Sequence, residues 1–293
     1  MALDMVRGGR PQLLHPARRF VTICVYPWFK LTARAEPATA MRHFPTLLSH
    51  ELRMLLVSPA TYVAATLFLG FMGLVFTKIL ELYGATPQET SPAIVYFQLF
   101  WLPVCVMVPL LTMKCLAEER RLGTIETLLT TPVTTTEVVV AKFGAAYALY
   151  SALWGSTAVF FWALHRFSGD ARFLDAGPLL GGYLFIAVSG LLFVAIGVLA
   201  SSLTRNQSVA GILGCVALAT LILGGNALAD STWLAQGALQ PLRPAVEYAH
   251  VFGHRDDFAR GVIDLRHVLF YLSGSALALI FSILGVEAKL LHA

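Results

Sequence analysis

In a chain of 293 residues with 13% charged side chains, few positions could do chemistry, and where they fall separates the classes of function. Ser156 and Ser189 lie inside apolar runs, but no mid-run histidine accompanies them, so a serine nucleophile would lack its base. The lysines, Lys30, Lys78, Lys114, Lys142 and Lys289, each follow a residue other than glycine. The chain therefore holds no GxxxxGK[ST] phosphate loop and does not bind ATP by that route. His250 and His254 stand four apart, with Asp256 and Asp257 beyond, which would put two metal ligands on one helix face. No third ligand has a fixed spacing, and a solvated outer loop is the better reading, in which the spacing of Val246, Ala249 and Phe252 is compatible with short helices. Cys24, Cys105, Cys115 and Cys215 are scattered without CxxC or CxH spacing, so they read as free thiols, three of them in or beside apolar runs. The expectation is a chain with no catalytic, cofactor-binding or metal-binding residues.

One charged stretch stands apart, "EERRLGTIETLLTTPVTTTEVVVAK", from Glu118 to Lys142. Gly123 suits the left-handed residue that ends a helix. Thr124 suits the N-cap of a short helix, with Glu126 where a carboxylate favours the helix dipole. Leu122, Ile125, Leu128 and Leu129 form its apolar stripe, and Pro132 stops it. Thr134 and Glu137 then have capping-box spacing for the next helix. Such punctuation predicts a short amphipathic docking helix rather than an ordinary polar loop.

The elements that must hold this segment are membrane helices. The chain is 57% hydrophobic, and its mean hydropathy is +0.71. Runs free of Asp, Glu, Lys and Arg cover Met54–Thr77, Thr90–Met113, Phe143–His165, Ala176–Thr204, Asn206–Ala229 and His267–Val286. About 20 apolar residues cross a bilayer, so the fold class is all-α, an integral membrane protein with six transmembrane helices. The spans are expected at about 59–80, 93–115, 137–164, 178–203, 208–229 and 267–287. Pro103, Pro109, Tyr96, Phe97, Phe100 and Trp101 in or beside the second span are weak candidates for lining a cavity, and packing or interfacial roles suit the aromatics better. Gly70, Gly73, Gly190, Gly197, Gly211 and Gly214 read as packing residues.

Before the first span, Phe44, Leu47, Leu48, Leu52 and Leu55 fall at helical spacing, with His50, Glu51 and Arg53 elsewhere on the wheel. They predict an N-terminal amphipathic helix at the membrane surface, ended at Ser58-Pro59. Residues 1–40 read as a poorly ordered extension or a mis-assigned start ahead of a transmembrane domain at 41–293. Basic residues set the orientation. The eight before Thr61, with Lys114, Arg120, Arg121, Lys142, Arg205 and Lys289, outnumber the seven on the other side, so both termini are expected in the cytoplasm. The formal charge of +4 follows from this bias and implies no nucleic-acid partner.

The charged stretch resembles the E-E-(K/R)-x-x-G-T-(I/L)-E-x-L-L-x-x-P-(V/I) signature of ABC-2-type transporter permeases. "LLSHELRMLLVSPATYV" resembles that family's entry helix and first span, and "DDFARGVIDLRHVLFYLS" the approach to the last span in its gliding-motility-type branch. The resemblance covers about residues 41–290. It implies a permease subunit of an ABC exporter in the bacterial inner membrane, not itself an enzyme. It also implies a separate cassette ATPase carrying ATP and Mg, a second permease subunit in a homo- or heterodimer, and contact with membrane lipid. Glu118, Glu119, Arg120, Gly123, Thr124, Glu126, Leu128, Leu129, Pro132 and Lys142 match the signature, which assigns them to the ATPase-coupling surface. A self-contained six-span carrier or channel is the alternative, against which stands the absence of ionisable residues at mid-span. A membrane anchor or assembly protein without transport is the other.

Overall fold

The computed structural model describes residues 44–85, 90–123, 134–168, 175–229 and 248–290, and every regular element among them is helical. Residues 1–43 and the proposed docking helix after Gly123 lie outside the described residues.

Helix α1, Phe44–Val57, ends at Ser58, and α2, Pro59–Ala85, begins with proline at its first turn, where the missing N–H costs nothing. The short α3, Pro92–Gln98, precedes α4, Trp101–Thr112, and α5, Ala117–Leu122. Next come α6, Thr135–Ser156, α7, Ala158–Ser168, and α8, Ala176–Leu203. Helix α9, Gln207–Ala219, passes through a π-helical turn at Thr220–Gly224 into α10, Gly225–Ala229. The chain closes with α11, Val251–Ala259, and α12, Leu265–Leu290.

Among the described residues, six helical segments are long and apolar enough to cross a membrane, the number the sequence predicts: Pro59–Ala85, Trp101–Leu122, Thr135–Phe167, Ala176–Leu203, Gln207–Ala227 and Leu265–Ala288. The second departs from the expected bounds. Pro103 cannot donate to Leu99 and its ring crowds that carbonyl, so the helix breaks there and restarts at Trp101. Residues 92–98 become a separate helix, and the membrane-crossing piece extends through α5 to Leu122.

Helix α8 is the most enclosed of the six and the centre of the domain. It packs on α12, α9, α6, α11 and α4. Small residues allow this. A Cβ at Gly181 would sit 2.0 Å from the Phe258 carbonyl oxygen, and one at Gly190 would sit 2.2 Å from the Tyr150 ring. Lipid offers no hydrophobic gain for helix association, so close backbone approach of this kind supplies the packing energy. Gly70, by contrast, faces open space. The aromatics around the second span are core: Tyr96, Phe97 and Phe100 are buried, with edge-to-face contacts to Phe76, Phe161, Tyr183 and Phe185. Cys105 and Cys115 are buried free thiols, and Cys215 is a partly buried one.

Candidate functional site

The charged stretch leaves the bundle through α5 and re-enters through α6. Gly123 ends α5 with φ of 71°, and its N–H returns to the Glu119 carbonyl. A side chain there would bring Cβ against the backbone. At the re-entry, Thr134 caps α6: its Oγ1 accepts from Glu137 N at 3.2 Å, and its own N–H donates to Glu137 Oε2 at 3.1 Å. Both expected terminators are therefore in place. Thr124, Glu126, Leu128, Leu129 and Pro132, which lie between them, are outside the described residues.

The mounting of these two ends is buried and polar. Lys142, one and a half turns into α6 from Glu137, is 4% exposed, and its Nζ lies 2.8 Å from Glu51 Oε1 and 2.7 Å from Glu119 Oε1. The two carboxylates keep side-chain exposures of 15% and 24%. One cation thus ties α1, α5 and α6 into a single block. Without Lys142, two carboxylates would share a largely desolvated space, so the block holds together only as a set.

Further bonds fix α5. A turn at 113–116 separates it from α4, leaving the first N–H groups of α5 without helical partners. Ser201 Oγ, buried on α8, accepts from Leu116 N at 3.0 Å and Ala117 N at 3.1 Å, and donates to the Met113 carbonyl at 3.2 Å. Arg120 Nη2 donates to the Gly285 carbonyl of α12 at 2.7 Å. Thr135 Oγ1 donates to Glu287 Oε1 at 2.8 Å, tying the start of α6 to the same helix. The carboxylates in the first turn of α5 and arginines in its last suit its dipole.

Of the ten residues that match the signature, the structure places Glu118, Glu119, Arg120, Gly123 and Lys142 around this block. Lys142 is an internal brace, and Glu118 is half-buried at the edge of a groove of about 510 Å³ in front of it. Local reading missed Glu51 and Ser201. The sequence reading sets Glu51 apart from the apolar stripe of α1, but Glu51 stands four residues from both Leu47 and Leu55 and so lies on that stripe, which packs on α6 and carries Glu51 inward with it. Its partner is 91 positions away, beyond any local periodicity.

At the opposite end, the short helix that the apolar spacing allows is present, but it is buried rather than solvated. Helix α11 lies against α8 at Gly181, burying Val251, His254, Arg255 and Phe258. His254 Nδ1 is 3.1 Å from the Tyr271 hydroxyl, and its ring stacks on His267 at 3.9 Å. Burial, then the His267 ring, pushes His254 down to about 4. His250 Nε2 bonds Asn226 Oδ1 at 2.7 Å, and Arg255 pairs with Asp256. The histidines are thus engaged with separate partners, and among the described residues no three His, Cys, Asp or Glu side chains converge on a metal-sized space.

A family model described as "ABC-2 family transporter protein" matches residues 45–286. No curated protein matches the chain.

Proposed function

We propose that this chain, which belongs to the ABC-2 transporter family and is the membrane component of an ABC transporter, couples a separate cassette ATPase to an export pathway through the segment held between Gly123 and Thr134. The observation that carries the reading is the buried Glu51–Lys142–Glu119 block behind that segment. A docked ATPase can transmit force only through a stiff mount, because a hinge at the docking point would absorb the motion. Lys142, Ser201 and the Arg120–Gly285 bond supply that stiffness and direct a push on the segment into α1, α8 and α12 together.

In this reading Glu118, Arg120, Gly123, Thr124, Glu126, Leu128, Leu129 and Pro132 form or aim the coupling surface. Glu119 and Lys142 brace it. ATP and Mg sit on the partner, two permease subunits pair in the bacterial inner membrane, and both termini face the cytoplasm. The stretch from Asp256 to Ser273 supports the gliding-motility-type branch.

The test is recovery of a cassette ATPase that copurifies with this chain, by pull-down at matched membrane levels. Leu128→Asp puts an unpaired carboxylate into a desolvated contact, at a cost of several kcal/mol. Gly123→Val forces a β-branched residue to positive φ, at about 1–2 kcal/mol. Both variants should insert, and both should lose ATPase and transport, the first more than the second. Wild-type recovery with both would sink the coupling assignment.

A further inference from the structure

The groove in front of the ion-pair block combines a polar and an apolar surface. Its back wall is the Glu51–Lys142–Glu119 set, whose charges are spent on one another. Lys114, Glu118 and His50 also line it, together with the apolar Met54, Leu55, Val57 and Leu122. Lys114 and Glu118 are four apart, a spacing at which a continuous helix would pair them. The turn at 113–116 breaks that geometry, and among the described residues neither has an ionic partner. A free ammonium and a free carboxylate are therefore presented half-buried in one groove, with an imidazole beside them.

The apolar lining points to what lies there. Met54, Val57 and Leu122 are 60%, 73% and 63% exposed. They sit where α1 gives way at Ser58-Pro59 to the first membrane span, whose outward-facing Tyr62 and Val63 continue the apolar surface. A ligand that fills the groove must carry both signs of charge over a short distance and an apolar body running into the bilayer. We propose that the groove binds a zwitterionic phospholipid, its phosphate held by Lys114 and His50, its ammonium by Glu118, and the start of its acyl chains on Met54, Val57 and Leu122. A space of about 510 Å³ takes a headgroup and glycerol and leaves the chains in the membrane. A purely anionic headgroup fits less well, since it would meet Glu118 in front and the net negative ion-pair set behind. A charged water-soluble ligand would leave the apolar lining uncovered.

The test is native mass spectrometry of the full chain in detergent without ATPase, titrated with palmitoyl-oleoyl phosphatidylethanolamine or with the matching phosphatidylglycerol. Because it reads lipid retention alone, it stands or falls apart from the coupling reading. Phosphatidylethanolamine should be retained over phosphatidylglycerol. Lys114→Gln and Glu118→Gln should each lower its retention about tenfold, the loss expected for one charge-assisted contact. Glu118→Gln should also narrow the preference between the two lipids. Soluble O-phosphoethanolamine, which has the headgroup without the chains, should not displace the lipid. Equal retention of both lipids, unchanged retention in both variants, or displacement by the soluble headgroup would overturn the proposal. Unchanged retention would leave the groove to a partner protein.

Discussion

Lys142→Met keeps the length of the side chain and removes its charge. In the folded protein this leaves Glu51 and Glu119, each less than 3 Å from the lost ammonium, facing one another across a mostly dry space. Removing one member of a fully buried ion pair costs roughly 3–5 kcal/mol. Both carboxylates retain some access to water, which softens their repulsion, so about 2–3 kcal/mol is expected here. For a domain of this size that corresponds to about 5–10 °C in Tm, measurable by scanning fluorimetry in detergent. The triple variant Glu51→Gln, Glu119→Gln, Lys142→Met removes the stranded charges and should recover most of that loss. It cannot restore the tie between α1, α5 and α6, so ATPase-driven transport should stay low in both proteins. This divergence separates a brace from a merely stabilising pair. A single Lys142→Met variant with wild-type Tm would refute the burial argument, and a triple variant with wild-type transport would refute the lever.

Single cysteines at Arg121 and Arg205 should be shielded from an impermeant thiol reagent added outside intact cells, and one at Asp257 should be labelled; the reverse pattern would invert the orientation and remove the docking reading with it. His254 is held neutral in the fold down to about 4, below its ordinary value near 6.5. The unfolded chain therefore takes up the proton first, and stability is full above pH 6.5 and falls toward pH 4 by at most about 1.4 kcal/mol per pH unit. The Tm gap between wild type and His254→Gln should change across that window, and parallel curves from pH 7.5 to 4.5 would show that the ring is not held neutral.

Much of this protein is legible from its sequence because the membrane reduces folding to a few local choices. A charge-free run of about 20 residues must be helical in hydrocarbon, where no water satisfies the backbone, and the described residues hold six helical segments of that kind. Turn chemistry is equally local: Gly123 takes positive φ and Thr134 with Glu137 closes a capping box because each depends on residues within one turn. The family signature is also continuous in sequence, so its local pattern alone is enough to locate the segment proposed for coupling. What holds that segment is not local. Lys142 finds Glu51 across 91 positions, and Ser201 serves N–H groups 84 and 85 positions away, through helix packing that no periodicity encodes. The same holds at the far end, where His250 and His254 read as a polar loop, yet α11 is buried because Gly181 lets its backbone touch α8. Local sequence determined the helices and their ends. Only the tertiary structure decided which polar side chains would be buried together, because a buried charge is tolerated only where distant helices deliver its partners.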